Sequence, residues 1–286
     1  MELAKHQPFH QYIHVDSYGQ YTASYHGLVL QSVYQPIFNR QYNIVAVEAL
    51  VRITTEQNTH IRPDLFFSSN CFSDEEKIQV ERLCRAIHIR NFAHSPFCQL
   101  NLFLNMLPAV GERYIDSDRL YAQFFSTLGK LHLDNQQIVM ELLEFPFDDK
   151  LQLLQITNHY KNNGFHVAID DFGTEASNKE RVDMIKPQII KIDRSLLLQY
   201  MSGNRAPLLN AVTIAQQCHA LTVIEGIETR LQWDEMTQLP IDFYQGFYLA
   251  MPQPCLMGVA GNQSRPIANI LDTQNTLVDL SLINHH

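Results

Sequence analysis

Residues 34–52 read YQPIFNRQYNIVAVEALVR, and this stretch predicts a hairpin of two β-strands. A polar turn at 39–43 separates two apolar runs, the second of which covers 44–47. The second run is followed directly by a carboxylate, Glu48. A single acid at this point is ordinary where a strand reaches solvent, so its meaning depends on how the other strands end.

Outward from this hairpin, strand-like apolar runs alternate with helix-like segments. Residues 74–94 carry apolar side chains at near-helical spacing behind a capping pair, Ser73 and Glu76. Further helices are predicted over 116–134, 147–163, 175–186, 204–220 and 229–238. Because the alternation runs for about 230 residues without a long linker, the sequence predicts one α/β barrel rather than two unlike domains.

The predicted barrel occupies residues 28–254 and has a segment of different character on each side. Residues 1–27 are rich in His, Tyr and Gln without a clean period, and we expect an irregular N-terminal arm. Such an arm is too short for a sensor domain, so none is expected ahead of the barrel. Residues 255–286 form a less regular tail, in which 267–271 and 277–282 are candidates for short helical turns.

The composition excludes several classes of protein. A formal net charge of −9 argues against a broad surface for DNA or RNA, which needs clustered Lys and Arg. It leaves room for a small phosphate-bearing ligand if metal ions or local cations offset the charge. No apolar run approaches the length of a membrane-spanning helix, and the first residues lack the apolar core of a signal peptide. The cysteines form no CxxC pair, which is typical of reduced thiols in a cytoplasmic protein.

Polar side chains follow the apolar core of six predicted strands. They are Glu48, Asn105, Glu141 with Glu144, Asp170 with Asp171, Lys191 with Asp193, and Glu225 with Glu228. Because the carboxyl ends of parallel strands meet at one mouth of a barrel, we expect these side chains to converge there. One reading is a solvated rim of acids. The other is a metal site, which is favoured because so many carboxylates would otherwise repel one another.

The residue types indicate which metal and which chemistry such a site would support. Oxygen ligands without His or Cys suit Mg²⁺ or Mn²⁺, and the histidines of the sequence show no HxH or HExxH spacing. Two ions about 4 Å apart can activate water and stabilise both oxygens of a phosphodiester displacement. Lys191 would add positive charge near the reacting phosphate, and Glu225 or Glu228 would serve as ligand or general base. Arg52 either grips a phosphate or forms a surface ion pair, and the residues leave both readings open.

Seven motifs, in order over about 220 residues, then identify a family. They are EALVR (48–52), FLN (103–105), ELLE (141–144), DDFGT (170–174), KID (191–193), EGIE (225–228) and QGFYLAMP (245–252). The series resembles the EAL domain family, bacterial phosphodiesterases that linearise cyclic di-GMP. The resemblance implies a modified TIM-like (β/α)8 barrel and hydrolysis of cyclic di-GMP to linear pGpG.

The resemblance also implies a role for each motif residue. The implied metal ligands are Glu48, Asn105, Glu141, Asp170 and Asp171. Lys191 resembles the lysine beside the catalytic water, Glu225 the general base, and Glu228 the acid that helps to hold that assembly. Glu144 resembles the glutamate that stabilises the loop after DDFG. The implied substrate contacts are Gln35, Leu50, Arg52, Gln245 and Pro252. The implied cofactors are two Mg²⁺ or Mn²⁺ ions, with Ca²⁺ inhibitory.

One departure from the family pattern affects the expected assembly. After DDFGT the family continues with Gly, an aromatic residue and two serines, whereas this chain has Glu175, Ala176, Ser177 and Asn178. In the family this loop links the metal site to a dimer interface. A homodimer is therefore expected, but the altered loop leaves open whether the metal site is coupled to the dimer interface. Two alternative functions also stay open: a cyclic di-GMP receptor or protein-interaction module without catalysis, and a different divalent-metal phosphodiesterase.

Overall fold

Eight strands of the computed structural model close into a barrel, and the hairpin of residues 34–52 begins it. The structure describes residues 9–106, 117–142, 150–173 and 179–255. Their strands are β1 (Ile13–Val15), β2 (Tyr21–Tyr25), β3 (Leu28–Asn39), β4 (Ile44–Thr55), β5 (His60–Ile61), β6 (Asn101–Met106), β7 (Ile138–Leu142), β8 (His166–Phe172), β9 (Ile189–Ile192), β10 (Leu221–Ile224) and β11 (Phe243–Tyr244). The barrel order is β3, β4, β6, β7, β8, β9, β10, β11 and back to β3.

The predicted α/β barrel is confirmed, and its modification lies in β3. This strand runs antiparallel to both neighbours, whereas β4 and β6 to β11 run parallel to one another around the barrel. The cause is the short turn between β3 and β4, because a parallel pair needs a crossover of a dozen or more residues. The side chain of Asn39 closes this turn by accepting the backbone N–H groups of Gln41 and Asn43.

Helices cover the outer surface of the barrel. They are α1 (Pro63–Ser68), α2 (Asp74–Ala93), α3 (Ser117–Lys130), α4 (Lys150–Asn162), α5 (Lys179–Ile185), α6 (Arg194–Met201), α7 (Ala206–Gln217) and α8 (Arg230–Met236), with 3-10 turns at Phe9–Tyr12 and Asn135–Gln137. The capping pair predicted for α2 is confirmed, since Ser73 and Glu76 exchange the reciprocal bonds of a capping box. None of these helices is long and apolar enough to cross a membrane.

The alternation of side chains along each strand places the polar residues. The interior of the barrel is apolar and includes Ala46, Phe103, Val139, Ala168, Ile189 and Val223. Each of these residues is followed two positions later by a polar side chain: Glu48, Asn105, Glu141, Asp170, Lys191 and Glu225. Because residues i and i+2 of a strand face the same side, these six side chains line the mouth directly above the apolar interior.

Two strands extend past the mouth and carry a second, smaller core. Residues 50–55 of β4 pair with residues 28–33 of β3, and β2 and β5 widen this sheet. The extension packs against α1 and α2 around a cluster that includes Leu30, Ile53, Phe66 and Leu83. We call this part the overhang, defined as β1, β2, residues 28–33 of β3, residues 50–55 of β4, β5, α1 and α2.

The N-terminal arm differs from the sequence prediction. Residues 9–25 contain a 3-10 turn and two strands rather than irregular chain. Strand β2 is fixed to α2 by Asn91, whose amide oxygen accepts the N–H of Tyr21 and whose amide nitrogen donates to its carbonyl. This pairing comes from a residue 70 positions away, so local sequence could not reveal it. Residues 1–8, the loop 174–178 and the tail 256–286 lie outside the described residues, as do Glu144 and the predicted turns of the tail.

Substitution of Gly246 tests the tightest backbone contact near the mouth. A Cβ at this position would overlap the backbone nitrogen and carbonyl oxygen of Ile227, which cannot move aside as a flexible side chain could. We expect Gly246→Ala to lower the free energy of unfolding by about 3 kcal/mol, the upper range for overpacking. Gly129 of α3 has nothing within 4 Å of its Cβ position, so Gly129→Ala should stabilise slightly. Urea unfolding measures both variants, and equal effects would contradict the prediction.

Candidate active site

The buried ammonium group of Lys191 lies at the centre of the mouth. Lys191 is 1% exposed and sits on β9. Its Nζ atom is 2.7 Å from Glu141 Oε1, 2.8 Å from Glu225 Oε1, 2.9 Å from Asp170 Oδ1 and 3.4 Å from Glu48 Oε2. Four strand ends that are far apart in sequence thus meet on one cation.

The carboxylates outnumber the charge that Lys191 provides. With Asp171 beside Asp170 and Glu225, five carboxylates and one ammonium group would carry a net charge of minus four if all were ionised. Burial, followed by the charge of Glu48, raises the pKa of Glu141 well above its usual range. Burial and Asp170 likewise raise the pKa of Glu225 well above its usual range and that of Asp171 to about 6. The cluster therefore favours either protons or added cations.

The oxygen atoms of the cluster suit a divalent cation. Oε2 of Glu141 is buried and has no hydrogen-bond donor, and the buried oxygens Glu141 Oε1 and Asp170 Oδ1 face the Lys191 ammonium group at 2.7 and 2.9 Å. Asp170, Asp171 and Glu225 each offer an oxygen, and these oxygens all lie within 4.8 Å of one another. Clustered oxygen ligands without His or Cys fit Mg²⁺, Mn²⁺ or Ca²⁺.

An irregularity in β8 brings two consecutive acids to the same side. In a regular strand Asp170 and Asp171 would face opposite surfaces. The pairing of β8 with β9 shifts between Ile169 and Phe172, and Asp171 has a φ of 51°. Asp is among the residues that tolerate this left-handed backbone, and Gly173 follows with a φ of 114°. The turn of the chain allows both carboxylates to join the cluster.

Two amide side chains hold Glu48 in place. Asn105 donates its Nδ2 to Glu48 Oε1 at 3.2 Å, and Gln245 donates its Nε2 to Glu48 Oε2 at 2.8 Å. The amide nitrogen of Asn105 is thus occupied by Glu48, and its amide oxygen is the atom that would bind the expected metal ion. Gln35 lies opposite Glu48 in the strand register and donates to the carbonyl of Ala250 at 3.3 Å. These contacts join β3, β4 and β6 to the segment after β11.

A cavity of about 460 Å³ adjoins the cluster, between the barrel mouth and the overhang. Asn105 and Asp171 line its barrel side, and the predicted substrate residues Leu50 and Arg52 line it from β4. The opposite wall consists of Asp64 and Phe67 from α1 and Glu81, Arg85 and His88 from α2. Burial lowers the pKa of His88 to about 3, so its ring is neutral at ordinary pH.

The wall from α1 and α2 was not predicted from the sequence. A signal for it exists in α2, where Glu81, Arg85 and His88 recur at positions i, i+4 and i+7 and so share one helical face. Polar residues on one face are usually solvated. Here Glu81 is 5% exposed and His88 is 6% exposed, because the overhang folds this face over the mouth.

Two further predicted residues lie at the edge of the site. Glu228 is exposed and pairs with Arg194 at 2.6 Å rather than with Lys191. Pro252 is half-buried, and its neighbour Gln253 pairs with Tyr34 of β3, which places Pro252 next to the segment that carries Gln35. The roles assigned to all these residues remain predictions.

Comparison with known proteins gives consistent matches. The family model described as "EAL domain" matches residues 26–252. The chain is 28% identical over 232 residues to "Probable cyclic di-GMP phosphodiesterase PdeN" of Escherichia coli K12, covering 77% of this chain and 43% of that protein. It is 23% identical over 223 residues to the EAL-domain protein YkuI of Bacillus subtilis, covering 77% of this chain and 54% of YkuI. The chain thus spans about half the length of these curated relatives.

Solved structures show the same fold. The crystal structure of Bacillus subtilis YkuI with c-di-GMP and calcium superposes with a TM-score of 0.69 at 22% identity, over 87% of this chain and 60% of that one. A standalone EAL protein of Vibrio cholerae O395 in its c-di-GMP-bound form gives a TM-score of 0.69 at 21% identity, over 80% of this chain and 94% of that one.

Cation binding should depend on pH in a defined direction. The pKa of Asp171 is raised to about 6 in the folded protein. Its protonated carboxyl group therefore contributes stability to the metal-free fold at low pH, and this contribution is lost as the pH rises through about 6. The acids of the cluster must release protons before they bind a cation. We therefore expect Mn²⁺ to raise Tm more at pH 7.5 than at pH 5.5, measured by thermal unfolding against a chelator. Glu141→Gln should reduce the rise at pH 7.5, and a pH-independent rise would contradict the assignment.

Proposed function

The chain belongs to the EAL domain family, and we propose on that premise that it is a divalent-metal-dependent phosphodiesterase. Its proposed reaction is hydrolysis of the bacterial second messenger cyclic di-GMP to linear pGpG. The observation that carries the proposal is the cluster of five carboxylates around Lys191, beside a cavity at the barrel mouth. The name of PdeN and the c-di-GMP complexes of the fold neighbours support the choice of substrate.

The residues divide into a metal-holding set and a proton-handling pair. The proposed ligands are Glu48, Asn105, Glu141, Asp170 and Asp171. Bound Mg²⁺ or Mn²⁺ would supply positive charge to the scissile phosphate and acidify the attacking water. Glu225 would take a proton from that water as the water oxygen bonds to phosphorus. The bond from phosphorus to the ribose 3′ oxygen then breaks, and the 3′ oxygen takes a proton from solvent to become the hydroxyl of pGpG. Lys191, 2.8 Å from Glu225, orients this carboxylate and stabilises charge on the phosphate oxygens.

The substrate would lie along the cavity that starts at the cluster. A volume of about 460 Å³ falls in the usual range of small-molecule sites and suits one nucleoside arm of a dinucleotide. Leu50 and Phe67 would supply apolar walls, and Arg52, which lines the same cavity, would grip a phosphate through its forked donors. Gln35, Gln245 and Pro252 would complete the contacts on the opposite side. The substrate is an intracellular messenger, so the proposal places the enzyme in the cytoplasm, with a homodimer as its proposed assembly.

A chromatographic assay of cyclic di-GMP breakdown tests the whole proposal. Purified, folded protein should produce pGpG with Mg²⁺ or Mn²⁺ and much less with Ca²⁺, whose larger size and looser geometry position the water poorly. Absence of product with both Mg²⁺ and Mn²⁺ would reject hydrolysis. Tight binding of cyclic di-GMP without hydrolysis would instead support the receptor alternative. Light scattering of the same sample tests the proposed dimer.

A single substitution tests the role of Glu225. Glu225→Gln keeps the shape of the side chain but cannot accept a proton, so we expect kcat to fall at least about 100-fold. The KM should change only a few-fold, because the amide does not remove a substrate contact. Glu56→Gln removes a carboxylate from an exposed turn after β4 and serves as the matched control. A near wild-type rate for Glu225→Gln would mean that another group removes the proton.

A further inference from the structure

The first turn of α6 lies between two segments that carry the acids of the cluster. Its N-cap, Asp193, donates its backbone N–H to the carbonyl of Phe172 at 3.1 Å, at the end of β8. One residue later, Gly173 approaches Leu196 so closely that a Cβ there would overlap the leucine side chain. The same helix therefore contacts the segment that follows Asp170 and Asp171.

The other contact of this turn is made by Arg194 on residues 225–228. The stem of Arg194 lies on Gly226, where a Cβ would come within 2.6 Å of the Cβ and Cδ atoms of the arginine. Gly226 has a φ of 70°, so glycine is required there both by the backbone and by this close approach. The guanidinium group continues to Glu228 and pairs with it at 2.6 Å.

Backbone hydrogen bonds hold this segment from two other directions. Glu225 donates its N–H to the carbonyl of Ile192 at 3.1 Å, and Ile227 donates to the carbonyl of Gln245 at 3.1 Å. The side chain of Gln232 accepts the backbone N–H groups of Glu228 and Thr229 at 2.7 and 3.0 Å. Arg194 adds a contact from α6, since its stem touches Gly226 and its guanidinium group pairs with Glu228, on either side of Ile227. Arg194 also follows Lys191 by three residues, so the clamp and the ammonium group belong to one short piece of chain.

We propose that Arg194 is a positioning residue that clamps residues 226–228 and thereby holds the Glu225 carboxylate against Lys191. The inference rests on the proposed function, because it gives Arg194 a part in that reaction. The inference also gives Glu228 a role: its carboxylate anchors the guanidinium group of Arg194 instead of joining the cluster around Lys191. Both members of the pair are partly exposed, and exposed pairs contribute little to global stability. The effect of Arg194 should therefore appear in catalysis and local motion more than in Tm.

The kinetic test uses the full chain and three variants. Arg194→Met keeps the stem on Gly226 and removes the ion pair, whereas Arg194→Lys keeps a charge. Arg205→Met is the matched control, because Arg205 lies over the ring of Tyr200 at the far end of α6, 4.9 Å from its centre. We expect Arg194→Met to lower kcat about tenfold with KM within about twofold, Arg194→Lys to recover part of the loss, and Arg205→Met to behave as wild type.

Hydrogen exchange provides a readout that needs neither metal nor substrate. In metal-free protein the amides of residues 225–229 should exchange several-fold faster in Arg194→Met, with Tm and the exchange of β10 unchanged. Glu228→Gln should produce the same increase, and the double variant should add little to either single change. Unchanged exchange and kcat in Arg194→Met, or equal losses in the Arg205→Met control, would overturn the inference. If wild-type protein hydrolyses nothing, the proposed function fails, and the exchange measurement still decides whether Arg194 clamps the segment.

Discussion

The ion pairs of one buried lysine, Lys191, stabilise the cluster of carboxylates at the mouth of this barrel. Carboxylates brought together from four strands would repel one another in a largely buried site, and Lys191 offsets part of that repulsion at 2.7–3.4 Å. The remaining negative charge is not a defect of the fold. Burial and this negative charge together raise the pKa of Glu141 and Glu225, and the buried Oε2 of Glu141 has no hydrogen-bond donor. Both features favour cation binding.

Much of this site could be predicted because strands impose a period of two. Six interior apolar residues are followed two positions later by a polar one at the end of their strand, and the prediction from the sequence rested on these strand ends. The left-handed backbone of Asp171, the grip of Gln245 on Glu48 and the outward position of Glu228 could not be predicted in this way. Each depends on contacts between segments distant in the chain, and local pattern carries no information about them. The strands of the N-terminal arm were missed for the same reason, since Asn91 fixes β2 from α2.

The antiparallel β3 has an effect beyond barrel closure. A tight hairpin lets β3 and β4 continue together past the mouth, whereas the other barrel strands end there. The sheet that results has its own apolar cluster with α1 and α2. It folds Glu81 and His88, which an isolated helix would expose to water, over the cavity. The polar face of α2 is thus part of the site only because the first strand of the barrel is reversed.

The overhang also gives the cavity wall a core separate from the one beneath the acidic cluster. The acids and Lys191 stand on an interior shared by every strand of the barrel, so few of them can vary without loss of the whole arrangement. Phe67, Arg85 and His88 stand on helices packed around a different core. Mutations in that second core can reshape the cavity wall while the clustered acids and Lys191 keep their geometry. The architecture therefore allows the cavity wall to change independently of the acidic cluster.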